Sequence, residues 1–371
     1  MSKMGPDRAR FSRRRTIVCG LALVALAGFG ARVVPIADAQ SGDDVPVFEV
    51  DAAWPKPLPN KWSVGPVSGI ATDARDHVWI IHRVEGVKQA GMVPAPPVIE
   101  FDPAGSVVQT WGGPGAGYDW PQQVHGITVD AKDRVWISGN GDKDTHILVF
   151  TREGKFLRQI GRAGTSGGSN DTANLARATQ MRVDLRSNEV YVSDGEQNQN
   201  HRVIVFDSEN GRYKRHWGAY GEKPDDAAAK APIDPAGPPP RQFGNAVHCV
   251  RIDREGLVYV CDRSNGRFQI FRKDGVFQKE IFIAREPAVA AAVGDLDFSP
   301  DQKFLYVAYS GHQKVCILLR DQLQVVGSFG ERHAGPGQFA TALHDLTVDS
   351  KGNVYTGEAA SAGRVQKFSR K

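Results

Sequence analysis

The chain has 371 residues and a formal net charge of +4, with 46 Lys and Arg against 42 Asp and Glu. The first 39 residues hold seven of the basic and two of the acidic side chains, so the remaining residues carry 39 basic and 40 acidic groups. This near-neutral balance gives no basic surface of the kind that nucleic acid or an anionic membrane requires, so we expect neither as a partner.

The N-terminal segment has the pattern of a secretory signal. Five arginines between Arg8 and Arg15 precede an apolar run that ends near residue 30, and Ala37-Asp38-Ala39 fits a small-residue cleavage site. We therefore expect residues 1–39 to be removed. The mature protein is then a monomer in the periplasm or the extracellular space, with no membrane contact after cleavage.

From residue 67 onward the sequence repeats one phrase six times. Each copy is an apolar strand, a polar turn, a second apolar strand and then further alternating strands. The copies follow one another every 46 to 69 residues or so, a period typical of propeller blades. We predict an all-β, six-bladed β-propeller over residues 40–371, in which residues 45–50 supply the missing outer strand of the last blade and close the ring. The turn begins at Asp73, Asp130, Asp184, Asp253 and Asp349, and near Ser299 in the degenerate fifth copy.

Three histidines occupy the same position in alternate copies. His125, His248 and His344 each lie five residues before the turn residue of the second, fourth and sixth copies. In a ring of six blades, alternate blades are about 120° apart, so the three imidazoles converge on the axis. Catalytic zinc takes three protein ligands and keeps an open position. The pattern therefore predicts a site for zinc or another divalent metal.

Further polar residues fall on the same rim, where the second strand of each blade ends. Arg83 and Arg263 lie ten residues after the turn Asp of the first and fourth copies, and Asp194 and Glu196 end this strand in the third. Because a guanidinium can bind a carboxylate through two hydrogen bonds, we expect the arginines to bind an anionic substrate or to pair with neighbouring blades. Glu196 or Asp194 is the expected proton-transfer group.

Two features allow more than one interpretation. Asp345, directly after His344, either orients a histidine, holds a calcium ion, or bonds to backbone. Cys249 and Cys261 flank one hairpin and either form a disulfide, if the register places them opposite each other, or are buried thiols like Cys316.

These phrases resemble the NHL-repeat propellers and, more closely, the catalytic core of peptidyl-α-hydroxyglycine α-amidating lyase. The family reaction breaks the C–N bond of a hydroxyglycine and gives a peptide amide and glyoxylate. The resemblance covers nearly the whole chain after the signal. The matching phrases are VSGIATD…IIHR (67–83), VHGITVD (124–130), YVSDG (191–195), VHCVRID…CDRSNGR (247–267) and ALHDLTVDSKGNVYTGE (342–358).

The resemblance implies roles for individual residues. The family's zinc ligands fall on the three repeated histidines, and its active-site arginines fall on Arg83 and Arg263. A structural calcium of the family is held at positions that correspond to Asp345 and to the backbone carbonyls of Ile70 and Ile127.

The chain departs from the family at two positions. Glu196 stands where the family has a tyrosine proposed for proton transfer, and Ala342 stands where it has a methionine. The expected function is an exported, zinc-dependent C–N lyase for a carboxylate-bearing, carbonyl-bearing or peptidyl-hydroxyglycine substrate. The same residues also suit a metal-dependent hydrolase. The alternative is a non-catalytic NHL propeller that binds a protein or ligand on its top face, or one whose metal is structural only.

Overall fold

Six antiparallel sheets, each built from one copy of the repeat, form the molecule. The computed structural model describes residues 32–33, 44–87, 89–230, 234, 237–283, 293–340, 342–359 and 363–371. The innermost strand of each blade packs against that of the next, and the sixth packs against the first, so the ring is closed. The predicted all-β, six-bladed β-propeller is confirmed.

Each blade has four strands that run outward from the axis. In blades 1 to 3 the strands are Val67–Thr72, Val78–His82, Val98–Phe101 and Val107–Trp111; Val124–Val129, Val135–Gly139, His146–Phe150 and Phe156–Gly161; Ala178–Asp184, Glu189–Asp194, Arg202–Asp207 and Tyr213–Trp217. In blades 4 to 6 they are Val247–Ile252, Val258–Asp262, Arg267–Phe271 and Phe277–Phe282; Val293–Phe298, Phe304–Tyr309, Lys314–Leu319 and Gln324–Phe329; Leu343–Val348, Val354–Glu358, Arg364–Arg370 and, from the N-terminal side, Phe48–Val50.

The strand Phe48–Val50 completes the sixth blade, as the sequence predicted. It pairs antiparallel with Arg364–Arg370, with Val50 opposite Phe368. Blade 4 has an additional parallel strand, Arg32–Val33, and Trp62–Ser63 pairs with Val93–Pro94 outside the blades. Apart from Arg32 and Val33, the expected signal segment, residues 1–39, lies outside the described residues.

The turn Asp residues organise each blade. Asp130 Oδ1 accepts the backbone N–H groups of Lys132 and Arg134, and its Oδ2 accepts the indole N–H of Trp136. This arrangement satisfies the turn backbone and anchors a large core side chain. Asp73 and Asp349 make the equivalent bonds in blades 1 and 6.

The remaining elements are short. The 3₁₀ turns are Pro59–Lys61, Val84–Gly86, Glu196–Asn198, Ala219–Gly221 and Ala228–Lys230. In blade 4 the register places Cys249 directly opposite Cys261, and the two form a disulfide, whereas Cys316 is a buried free thiol. Among the described residues, no helix has the length and apolar character needed to span a bilayer.

Candidate metal centre

A bulge in the innermost strand turns the three histidines toward the axis. In blade 4, Val247 pairs with Asp262 and Cys249 with Cys261, so His248 between them has no partner in the ladder. The same shift occurs around His125 and His344. A bulged residue leaves the regular alternation of faces, and bulges commonly redirect a side chain in this way.

Backbone carbonyls of neighbouring blades then fix the imidazole rings. His125 Nδ1 lies 3.1 Å from the carbonyl oxygen of Thr179, and His248 Nδ1 lies 2.5 Å from that of Gly294. A ring nitrogen that donates to a carbonyl leaves the other nitrogen with a free lone pair. The Nε2 atoms of both rings are therefore available as ligands.

The Nε2 atoms converge at separations that suit a metal ion. His248 Nε2 and His344 Nε2 are 3.2 Å apart, and the ligand nitrogens of all three histidines lie within 4.8 Å of one another. Two nitrogens bound to tetrahedral zinc at 2.0–2.1 Å are about 3.3 Å apart. His125 Nε2 is buried and has no hydrogen-bond partner. Burial, followed by the positive charge of Arg263, lowers the pKa of His248 well below its usual value, so the ring is the neutral form that a metal requires.

Glu196 lies beside these rings. Its Oε2 is 3.2 Å from His125 Nε2 and 3.9 Å from His248 Nε2, and its Oε1 accepts a 2.5 Å hydrogen bond from Arg263 Nη2. Burial favours the protonated acid, but the contact with His125 and the Arg263 charge hold the pKa of Glu196 well below its usual value. The group is therefore a carboxylate.

Arg83 occupies the other side of the site. Its Nε donates to the carbonyl oxygen of Val124, next to His125, and its Nη2 donates to Asn140 Oδ1, both at 3.3 Å. Burial lowers the pKa of Arg83, although Glu196 opposes this effect. The structure thus brings Arg83, Arg263 and Glu196 together with the histidines.

Asp194 is not brought to this site. Its carboxylate accepts hydrogen bonds from Arg202 Nε at 2.9 Å, from Asn200 Nδ2 at 2.8 Å and from the backbone N–H of Ala176 at 2.8 Å. These contacts occupy the carboxylate, and they anchor the loop before blade 3. The expectation that Asp194 transfers a proton is corrected accordingly.

Asp345 faces the channel below the histidines. Its Oδ2 accepts the N–H of Ile70 at 3.2 Å, and its Oδ1 accepts Gln180 Nε2 at 2.8 Å and its own neighbour, the Leu346 N–H, at 2.9 Å. Of the three roles considered for Asp345, the hydrogen-bonded one fits these contacts. The structure shows no contact between Asp345 and Ile127 among the described residues.

A guanidinium stands where a calcium ion would have to approach Asp345. Arg251 Nη2 lies 3.7 Å from Asp345 Oδ1 and donates a 2.8 Å hydrogen bond to Asp295 Oδ2, and Arg251 Nη1 donates to Gln180. Calcium needs six to eight oxygen ligands. With three donors on Asp345 and an arginine beside it, these residues do not fit a calcium ion.

Sequence reasoning missed Asn140, Arg251 and Asp295. Asn140 lies ten residues after Asp130, the same offset that identified the arginines of the rim, so its signal was present in the sequence. Arg251 and Asp295 carry no such signal, because nothing in one blade shows which residue of another faces it across the channel.

Comparisons with known proteins follow the same line. No protein-family model matches the chain. It is 27% identical over 343 residues to peptidyl-glycine alpha-amidating monooxygenase A of Xenopus laevis, a match that covers 87% of this chain and 33% of the frog protein. It is 25% identical over 335 residues to NHL repeat-containing protein 3 of Mus musculus, with 87% and 84% covered. It is 24% identical over 351 residues to peptidyl-alpha-hydroxyglycine alpha-amidating lyase 1 of Drosophila melanogaster, with 85% and 58% covered.

Among solved structures, a streptogramin B lyase matches with a TM-score of 0.53 at 12% identity, covering 88% of this chain and 98% of that one, which supports the fold alone. The protein is a six-bladed β-propeller of the NHL-repeat type. Within that class it resembles the amidating lyases, although it spans only about a third of the length of the frog monooxygenase.

Proposed function

We propose that the protein is a metal-dependent lyase that acts on a substrate bearing a carboxylate or a carbonyl group, with a peptidyl-hydroxyglycine as the first candidate. The observation that carries the proposal is the convergence of three imidazole nitrogens between two arginines on one face of the ring. The similarity to amidating enzymes supports the choice of substrate class.

His125, His248 and His344 would hold zinc or another divalent ion. A bound ion of this kind supplies Lewis-acid activation of a substrate oxygen. Imidazole nitrogen suits several first-row metals, so the donor set supports a divalent transition metal without selecting one.

Arg83 and Arg263 orient the substrate. Arg263 Nε is buried without a hydrogen-bond partner, so this arginine has a donor that the protein itself does not satisfy. A buried unpaired donor is costly, and a carboxylate oxygen of a bound substrate satisfies it. Arg83 adds a second positive charge from the opposite side.

Glu196 is the proton-transfer group of the proposal. Its Oε2 is ionised, buried and without a hydrogen-bond partner. In the cleavage of a hydroxyglycine, the substrate hydroxyl loses its proton to Oε2 as the aldehyde C=O of glyoxylate forms. The C–N bond breaks with its electron pair on nitrogen, which takes up a proton to give the peptide amide.

The test is a product assay with a hydroxyglycine-terminated peptide. Metal-loaded wild-type protein should release glyoxylate and the peptide amide in equal amounts, and the chelated protein should not. Because lysine cannot make the paired contacts of a guanidinium, Arg263→Lys should lower kcat/KM by about 100-fold. If the wild type loaded with zinc, cobalt or manganese yields no glyoxylate, the substrate assignment is wrong.

We also propose that the protein is exported and acts as a monomer. The basic and apolar pattern of residues 8–30 supports export, and the Cys249–Cys261 disulfide is of a kind that persists in an oxidising compartment. N-terminal sequencing of the exported protein should give a chain that starts at Gln40. A product that keeps its first 39 residues would contradict the proposal.

A further inference from the structure

We propose that Glu196 is the fourth ligand of the metal centre in its resting state and that an anionic substrate replaces it. This inference rests on the proposed function, because it requires the histidines to hold an ion. It assigns Glu196 a place in the coordination sphere before it acts on any proton.

The distances around Glu196 are those between ligands of one ion. Glu196 Oε2 is 3.2 Å from His125 Nε2, the same separation that His248 Nε2 and His344 Nε2 show. Ligand atoms about 2.0–2.1 Å from a tetrahedral ion are about 3.3 Å apart. The longer contact, 3.9 Å to His248 Nε2, still keeps the oxygen on the same side of the three rings.

The polar atoms that face this space have no other partner. Glu196 Oε2 and His125 Nε2 are both buried, and neither makes a hydrogen bond. A carboxylate oxygen left without a donor in a buried site costs free energy. Shared coordination of one ion gives both atoms a partner at once.

The protein holds Glu196 in place from two directions. Its Oε1 accepts the hydrogen bond of Arg263, and its backbone N–H donates to the carbonyl oxygen of Arg177 at 3.1 Å. Gly195 allows the chain to reach this position, because a Cβ there would lie 1.9 Å from the carbonyl oxygen of Asn200. The carboxylate is therefore preorganised next to the histidines rather than drawn there by chance.

Glu196 thus occupies both contacts that a substrate carboxylate needs. It takes a hydrogen bond from Arg263, and it fills the coordination position opposite the histidines. A centre with four protein ligands is closed, whereas a catalytic centre needs an open position. A substrate anion that takes over Arg263 opens the centre and frees Oε2 to accept a proton.

Cobalt(II) is the probe for this inference, since its absorption spectrum reports coordination number. Metal-free wild type, Glu196→Gln, Glu196→Ala and the control Gln197→Ala, an exposed residue of the same turn, are titrated with Co²⁺ and then with azide. Wild type and control should bind one Co²⁺ with a four-coordinate spectrum that millimolar azide barely changes. Both Glu196 variants should bind Co²⁺ more than about 100-fold more weakly, beyond the loss caused by groups outside the coordination sphere, and should take up azide with a spectral shift.

Circular dichroism and melting curves verify that the variants fold. If both Glu196 variants bind Co²⁺ as tightly as wild type, with the same spectrum and the same response to azide, Glu196 lies outside the coordination sphere and the inference is overturned. That result leaves the three-histidine site of the proposed function intact. If wild type itself binds no Co²⁺, the inference and the proposed metal site both fall.

Discussion

At the residue scale, the candidate metal centre depends on main-chain atoms as much as on side chains. The carbonyl oxygens of Thr179 and Gly294 hold the rings of His125 and His248, and both carbonyls belong to residues at the histidine position of the following blade. Because the acceptor is backbone, ring orientation follows from the spacing of the blades and not from the side chain at position 179 or 294.

Asn140 tests the role of a residue that acts through another. Replacing Asn140 with Ala removes the acceptor that holds Arg83 Nη2, so Arg83 loses its fixed direction. We expect KM to rise about 10-fold with kcat nearly unchanged, because binding is weakened equally before and during the reaction. Asn140→Asp keeps the oxygen acceptor and should restore KM. A fall in kcat at unchanged KM would contradict a positioning role.

Arg251 tests the absence of a calcium site. If the guanidinium already serves Asp295 and Asp345, millimolar calcium or EGTA should leave the Tm of the wild type unchanged within about 1 °C. Arg251→Met leaves two buried carboxylates without a cation, so we expect a loss of about 3–5 kcal/mol and a Tm that calcium raises. A wild-type Tm that EGTA lowers by several degrees would show that calcium binds after all.

The residues of the rim were predictable to the extent that they share an offset from the turn Asp. The histidines at five residues before it and the arginines at ten residues after it were found in this way. Asp194 shares the second offset but serves the fold, and its neighbour Glu196 reaches the histidines because a 3₁₀ turn begins there. An offset specifies a place on the rim, and the local turn decides which way a side chain faces.

At the element scale, an acid–arginine pair recurs at the end of the second strand. Asp194 pairs with Arg202, Asp262 with Arg267 and Glu358 with Arg364, and each acid also accepts a backbone N–H from the preceding loop. This recurrence is visible in the sequence as an acid followed five to eight residues later by an arginine. Comparison of blades 3, 4 and 6 would therefore have marked Asp194 as structural.

Blade 3 contains a second buried ion pair whose contribution depends on pH. Arg215 donates two 2.7 Å hydrogen bonds to Glu189, and Tyr191 donates a third. Burial raises the pKa of Glu189, but these contacts outweigh it and lower the pKa from 4.5 to about 2. The folded-state pKa is the lower one, so this stabilisation is complete above 4.5 and is lost as the pH falls toward 2.

Glu189→Gln measures that contribution. At neutral pH the substitution should lower the free energy of unfolding by about 2–3 kcal/mol, and the difference from wild type should shrink as the pH falls. Urea denaturation at a series of pH values gives both numbers. The control Glu209→Gln breaks an exposed pair with Lys132 and should change stability by less than about 1 kcal/mol. A pH-independent effect of Glu189→Gln would refute the assignment.

At the scale of the whole molecule, closure joins the two ends of the propeller. Phe48 lies in the outer strand of blade 6, and its ring contacts Tyr306 at 5.4 Å and Phe329 at 4.6 Å between centroids, both in blade 5. The repeat count predicted this closure because the last copy was one strand short. The sequence gives no comparable signal for the extra strand Arg32–Val33, which lies outside the repeat.

Phe48→Ala should therefore destabilise the ring. The side chain is only partly buried, so we expect a loss of about 2 kcal/mol in urea denaturation, below that of a fully buried phenylalanine. Val47→Ala is the matched control, because Val47 is 64% exposed next to the same strand and should change stability little. Equal effects of the two substitutions would show that this strand does not hold the ring closed.

The central claim is that three histidines from alternate blades hold one divalent ion on the axis. Elemental analysis of purified wild-type protein and of the His125→Ala/His248→Ala double variant tests it most directly. The account predicts one zinc or other divalent ion per wild-type chain and none in the folded double variant. A wild type without stoichiometric metal, or a double variant with unchanged metal content, would contradict it.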